Sequence, residues 1–479
     1  MRALLANIDF SSLLASLSQT LKFIFLKKEL TRSIEMRDAF CIPFKQNEAL
    51  AMKGRLKDLE ALLTNDTVLE DWFTPARDLL TKIRPTRNYP VLSNEMLIFL
   101  NCARQIVSSA TLRDYLQCLF HLDDEAFRVP LARSTYSDAL SNSIRISVTE
   151  QLVKMLAEQA TLALPDRLKG LNGIGDRPVY VADGTYQNES CHFKKITPSQ
   201  GGDDSSKGHL LLTAYNLRSG IPMDVEVETS SISEIKLLKE SRAFSSLTNV
   251  KNSLWILDRA FIDALYWDRR KKDHNVTTIT RMKSNLNYSV LERKKVTTSN
   301  KRQGIASDQI IQLESSEYKW RLIGYWAETG EYYQYLTNDF ELTPGVIAYL
   351  YHRRWDEEKY FDNFKNDMAS SKAWGKSDTA IKQQALAGII TFILTKLFCL
   401  RQSINFGIKN IDGETQSKRH SEKVDKYLGQ VSGDEYRAFH TNLSKVTKQI
   451  WRFLKWCMLK KPRKRLYEAQ LKPMMLAYL

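Results

Sequence analysis

Two short runs of β-branched, aromatic and aliphatic residues each stop on an aspartate, and they constrain the fold more than anything else in the chain. Pro178-Val-Tyr-Val-Ala-Asp183 reads as a buried strand ending in an acidic turn, Asp183-Gly-Thr. Ser253-Leu-Trp-Ile-Leu-Asp258 reads as a second strand with the same ending. Residues of this kind fit a pleated, buried surface, and strands separated by helical stretches indicate an α/β arrangement. Between the two lies a hairpin from His209 to Glu228, turning near Arg218-Ser-Gly220, and then a capped helix from Ser233 to Ala243. A short helix and a further strand, Val276 to Lys283, follow the second aspartate.

The flanks differ in character. Residues 1–165 have helical spacing of Leu, Ile, Phe and Ala and are expected to form a helical N-terminal region. In it, the segments starting at Ser108 and Arg133 read as helices with hydroxyl caps. The second can be read in two ways, as a bundle helix or as the opening of a recognition helix. The recognition reading turns Arg133, Ser134, Thr135 and Tyr136 toward DNA. Residues 285–340 are strand-rich and aromatic and form a separate segment between residues 170–284 and 341–400. Ala385 to Leu400 is the most apolar stretch, but it is short for a membrane span and contains Thr391, Thr395 and Lys396, so a buried helix is expected. Residues 401–479 read as helical and basic, with Lys460-Lys-Pro-Arg-Lys-Arg465 near the end.

At 479 residues, the chain is too long for one ordinary core, so two to four structural units are expected. Hydrophobic content of 43% argues for a folded protein. Lys and Arg together number 70 against 55 Asp and Glu, a net charge of +15, which points to a polyanionic partner, most simply nucleic acid. The six cysteines form no C-x-x-C pair, and the seven histidines are scattered, which disfavours a zinc site and suits a reducing cytoplasm. Cys191 and His192 are adjacent, a poor chelate, and read as structural. The N-terminus breaks its apolar run at Asn7 and Asp9 and does not resemble a signal peptide.

The chemistry is concentrated in Tyr351-His-Arg-Arg-Trp-Asp-Glu-Glu358 and the residues up to Lys365. At about 100° per residue, a helix would bring Tyr351, Arg354, Glu358 and Lys365 within roughly 60° of arc. Such an edge offers a phenol, a guanidinium, a carboxylate and an ammonium. Arg grips phosphate oxygens bidentately, Lys adds a point charge, and a carboxylate ligates a hard cation. The plain alternative is a solvated face with Arg354–Glu358 as an i,i+4 pair. Asp183, Asp258 and Glu358 together could hold one or two divalent ions, and hard carboxylate oxygens favour Mg2+ or Mn2+.

At these residues the sequence resembles the DDE transposases of the bacterial insertion-sequence-4 family. Tyr351-x2-Arg354-x3-Glu358-x6-Lys365 matches that family's signature without a gap. Asp183-Gly-Thr and Asp258-Arg-Ala-Phe261 are similar to the contexts of its two catalytic aspartates. The resemblance spans about residues 130 to 400. It implies an RNase H-like catalytic core, a mixed sheet with flanking helices, interrupted by a β-rich insertion. It implies a metal-dependent enzyme, with Mg2+ or Mn2+ on Asp183, Asp258 and Glu358, that nicks the inverted-repeat ends of a mobile element and joins them to target DNA. The partners implied are double-stranded DNA and a second copy of the chain in a paired-end complex. By the same resemblance, Tyr351, Arg354 and Lys365 hold phosphates near the element end. Cleavage through a hairpin, with an aromatic stacked on a flipped base, makes Trp355, Trp326 and Trp320 candidates. Trp320 and Trp326 can equally be read as filling the insertion's own core. Arg281 and Lys283 are candidates for gripping the DNA backbone. An idle DNA-binding derivative, or a nuclease without strand transfer, remain as alternatives.

Overall fold

The structure is a computed structural model that describes residues 68–85, 87–107, 112, 115–116, 131–169, 171–188, 208–228, 232–327, 329–354, 360–361, 365, 368, 372–405 and 450–455. Residues 1–67, Cys191, His192, Trp355, Glu358 and the basic run at 460–465 lie outside the described residues, as do the expectations attached to them. Helices α1 (Val68–Leu80), α2 (Asn94–Val107), α3 (Arg133–Leu140) and α4 (Ser143–Ala163) precede the first strand. Then come β1 (Val179–Asn188), β2 (Gly208–Asn216), β3 (Ile221–Glu228), α5 (Glu234–Glu240), α6 (Arg242–Thr248), β4 (Leu254–Leu257), α7 (Ala264–His274) and β5 (Thr277–Arg281). The segment β6 (Tyr288–Arg293), α8 (Thr298–Arg302), β7 (Ile305–Leu313), β8 (Lys319–Trp326) and β9 (Tyr332–Thr337) follows. The last are α9 (Pro344–Arg353) and α10 (Asp378–Asn405).

All nine strands form one sheet in the order β3-β2-β1-β4-β5-β9-β8-β7-β6. The centre is parallel: Val181 pairs with Ile256 and Ile256 with Ile279. β2 and β3 extend it antiparallel on one side. On the other side, β9 pairs antiparallel with β5, Thr280 opposite Leu336, and the β6–β9 meander continues outward. The strand-rich segment expected as a separate unit is therefore hydrogen-bonded into the central sheet, because β5 would otherwise leave an open edge.

Strand alternation divides the core in two. Val179, Val181, Leu254 and Ile256 pack with the long helices, whereas Tyr180, Ala182, Trp255 and Leu257 pack with α5, α6 and α7 through Leu238, Phe244 and Trp267. Both faces are covered, which explains why these strands read as unbroken hydrophobic runs. The expected helix at Ala385–Leu400 lies within α10. Every residue from Gln383 to Cys399 is buried there, so a helix with the length and hydropathy of a membrane span is instead enclosed by protein. Several of its polar groups are satisfied internally. Thr395 accepts the Trp72 indole N–H at 3.3 Å, and Lys396 donates to the Gly220 carbonyl at 2.7 Å. Gly220 needs its glycine: φ is +67° and a Cβ would meet Arg167 Cδ at 2.9 Å. Cys102 and Cys399 are buried thiols outside any disulfide.

Some local expectations change. The helix expected over 233–243 breaks at Ser241, whose hydroxyl caps α6 by accepting from Phe244 N. Helix α3 starts at Arg133, but its N-cap is Ala132 and no side chain caps it. Tyr136 cannot face DNA as expected, since it is fully buried and donates to Asn101 Oδ1 at 2.7 Å.

The sheet extension is anchored by a buried ion pair. Arg321 binds Asp308 through two bonds of 2.8 Å and also donates to the Leu342 carbonyl at 2.7 Å. Removing one charge leaves the other buried and unpaired. Arg321→Leu is therefore expected to cost about 3–5 kcal/mol, read as a lower urea midpoint, whereas the double replacement Arg321→Met with Asp308→Leu should recover most of that loss.

Candidate active site

The pairing between β1 and β4 ends at Ala182 opposite Leu257. The next residue on each strand is Asp183 and Asp258, so the two carboxylates leave the parallel ladder side by side, on strands about 4.8 Å apart. Only Asp258 is at a strand tip. β1 continues to Asn188 along β2, with Asp183 opposite Thr213, so the expected acidic turn is a strand interior that β4 has ceased to cover. By alternation, Asp183 shares the face of Val179 and Val181, and the extended backbone of Asp258 continues the face of Leu254 and Ile256.

That face meets the C-terminal end of α9. Arg354, its C-cap residue, donates Nη1 to Asp183 Oδ2 at 2.9 Å. One turn earlier, Tyr351 is 6% exposed, its ring 4.9 Å from that of Tyr335 on β9. Its hydroxyl is buried without a hydrogen-bond partner among the described residues. Burial pushes that hydroxyl up to about 12; Arg354 opposes the shift, Asp258 adds to it and Arg281 opposes it. The phenol therefore stays protonated and can donate to an incoming oxygen. Arg281, the last residue of β5, lies over the Tyr333 ring at 4.6 Å.

Glu234, the first residue of α5, escaped the sequence reading. It approaches from beyond Gly184: a Cβ on Gly184 would meet Glu234 Cδ at 2.9 Å and Oε1 closer still. Asp183-Gly184 looked like turn chemistry, but the glycine serves this close approach. Burial first, and then the charges of Asp183 and Asp258, raise the Glu234 carboxyl to about 7. A glutamate at the start of a helix is so common that the sequence carried no signal for this role.

Other predicted residues are distributed as follows. Lys365 is partly buried, and burial lowers its ammonium pKa. Trp326 is 53% exposed, at the same end of the sheet as Arg281, with its ring 5.0 Å from Tyr332. Trp320 is a correction. It is 2% exposed, and its indole N–H donates to Asp268 Oδ1 and Ser316 Oγ, so it offers no ring face to a base. Lys283 lies just past β5 and is partly buried; Arg133 is exposed and Thr135 partly buried on α3. Among the described residues, no group of three or more His, Cys, Asp or Glu side chains is placed to hold a metal ion. The donor set at the centre is nonetheless all carboxylate oxygen, the chemistry that suits Mg2+ or Mn2+.

Residues 175–394 match the family model of the transposase DDE domain. This match supports a DDE transposase. The matched span runs from just before β1 into α10 and includes Asp183, Glu234, Asp258, Tyr351, Arg354, Glu358 and Lys365. DDE transposases act on DNA and use divalent metal ions. No curated protein matches the chain.

The elevated Glu234 carboxyl has a defined linkage. The folded protein keeps a proton that the unfolded chain releases near its ordinary value of 4.5. Metal-free stability should therefore fall as pH rises from about 4.5 to about 7, by on the order of 3 kcal/mol from this group. Thermal melts in chelator at pH 5 and pH 8 should show a smaller drop for Glu234→Gln than for the wild type.

Proposed function

We propose that the protein is a DNA transposase of the insertion-sequence-4 type, which cuts the inverted-repeat ends of a mobile element and joins the 3'-OH ends to target DNA. The observation that carries this reading is the emergence of Asp183 and Asp258 side by side from the parallel ladder, with Arg354 on the first. Their place inside the transposase DDE domain supports it.

In this reading Asp183, Asp258 and Glu358 hold divalent metal, Mg2+ with Mn2+ as a substitute. The metal supplies an activated water or 3'-hydroxyl and neutralises charge on the leaving oxygen. Arg354 has two tasks. Its bond to Asp183 fixes that carboxylate, and its positive charge attracts a scissile-strand phosphate. Tyr351 donates its hydroxyl to a phosphate oxygen, and Lys365 adds a positive charge. Arg281 and Lys283 bind the backbone where β5 ends. Trp326 and Trp355 are the aromatics for a flipped base in a hairpin step, a contact worth about 1–3 kcal/mol per base. The 170–284 and 341–400 segments form an RNase H-like core, with 285–340 as its insertion. The helical region 1–165 and the basic 401–479 region bind DNA, and two copies act at paired ends in the bacterial cytoplasm.

The test uses the full chain, DNA carrying the element's inverted repeats, a target plasmid and Mg2+. Asp183→Asn, Asp258→Asn and Glu358→Gln should each lower strand cleavage by at least about a hundredfold while gel-shift affinity for end DNA is retained. Wild-type protein should yield products joined covalently to the target. Cutting at the wild-type rate by Asp258→Asn would remove that residue from the site, and cut ends that never join would make the protein a nuclease. End-DNA affinity should also fall steeply with salt as phosphate contacts release counterions.

A further inference from the structure

Resting on the reading of this site as a DNA-cleaving centre in which Tyr351 donates to a phosphate oxygen, we propose that Tyr335, on the strand-rich segment, is a positioning residue for that hydroxyl. Cleavage at α9 then depends on a ring supplied by β9.

The Tyr351 ring is buried, yet its hydroxyl makes no hydrogen bond with any described residue. No hydrogen bond therefore fixes where the hydroxyl points. A tyrosine ring turns about two side-chain torsions, and here only the groups packed against the ring can hold them. The backbone gives limited help. Tyr351 is in the last turn of α9, which ends at Arg353, and carbonyls of a last turn lack helical partners. Tertiary contacts must set the geometry.

Two such contacts are defined. The Tyr335 ring lies 4.9 Å from that of Tyr351, centroid to centroid, with the planes inclined at 36°, inside the range where aromatic pairs attract. On Arg354 the guanidinium carbon is 5.9 Å from the Tyr351 centroid, and that guanidinium is tied to Asp183.

Tyr335 is itself firmly held. It is 4% exposed and lies inside the sheet, with Arg281 of β5 opposite on one side and Ile323 of β8 opposite on the other. Its ring also meets Tyr325 at 6.0 Å and Tyr333 at 6.4 Å. Tyr335 and Tyr351 belong to the same core as Val179 and Val181, the face of β1 that Asp183 shares. A ring fixed by two strands thus braces a ring at a helix end, and the helix end presents the hydroxyl. The plain alternative is that Tyr335 only fills the core. A core filler acts through stability, so its loss would cost the same whether or not residue 351 carries a hydroxyl.

The experiment measures single-turnover strand cleavage by the full-length protein, with DNA carrying the element's inverted repeats and Mg2+. Gel-shift affinity and thermal melts accompany each variant. Tyr351→Phe and Tyr335→Leu should each slow cleavage at least about tenfold, because displacing a reacting group by about 1 Å is enough to do so. End-DNA affinity should stay within about twofold in Tyr335→Leu, and Tyr335→Phe, which keeps the ring, should cut within about twofold of wild type. Adding Tyr335→Leu to Tyr351→Phe should slow cleavage by no more than about a further twofold, since no hydroxyl is left to position. Tyr335→Met, which fills the space without a ring, repeats the comparison should the leucine variant fail to fold. Equal slowing by Tyr335→Leu in both backgrounds, a Tyr335→Phe as slow as Tyr335→Leu, or a Tyr335→Leu that cuts at the wild-type rate would each overturn this inference and leave the reading of the site standing. If wild type cuts no end DNA, or Tyr351→Phe cuts as fast as wild type, that reading fails and the inference falls with it.

Discussion

Everything at the centre of this protein depends on where two parallel strands stop sharing hydrogen bonds. β1 and β4 run together as far as Ala182 and Leu257, and the residue after each is an aspartate. Parallel register leaves no freedom here. Once Val181 is opposite Ile256, two acids must come out together, at the spacing of neighbouring strands. Like charges at that spacing repel, so the fold brings Arg354 onto Asp183 from α9 and leaves Asp258 and Glu234 without a protein cation in hydrogen-bond contact among the described residues. The result is a place stable enough to form yet short of positive charge.

The scaffold that fixes this place is rigid for identifiable reasons. Alternation along β1 and β4 sends every second side chain to each of two cores, so neither strand can slip by one residue without exchanging its faces. α10 crosses one face with its middle, Gln383 to Cys399, buried, and its Lys396 reaches the β2–β3 turn at Gly220. On the far side, Arg321 and Asp308 hold the β7–β8 pair against the chain entering α9, at Leu342. Tyr335 of β9 stacks on Tyr351 of α9. The strand-rich segment is thereby coupled to the two aspartates through the sheet itself and through one aromatic contact, and Trp326 and Tyr332 are held at the same end of the sheet.

Legibility in the sequence followed the range of each interaction. The strands ending near Asp183 and Asp258, the hairpin turning at 218–220 and the buried helix around 385–400 are local patterns, and they were readable because burial writes itself into runs and periods. What was misread involved a neighbour. Asp183-Gly184 looked like a turn because nothing local reveals that β2 carries β1 on to Asn188, or that Glu234 fills the space a side chain at 184 would need. Trp320 looked like a stacking candidate because an indole's burial depends on Asp268, fifty-two residues away. Tyr136 looked outward-facing for the same reason, its partner Asn101 being on another helix.

By itself, the sequence determined the chemical inventory: two strands bearing aspartates, the Tyr351–Arg354–Glu358–Lys365 spacing, a large positive charge and enough apolar residues to bury both faces of a sheet. These follow from residue type and short-range periodicity, which need no partner to be expressed. Tertiary structure alone decided that Asp183 lies in a strand interior, that the strands after Lys283 join the central sheet, and that Glu234 packs against Gly184. Those outcomes arise from strand register and helix placement across tens of residues, where the energy lies in burial and charge compensation between distant segments and leaves no trace in local composition.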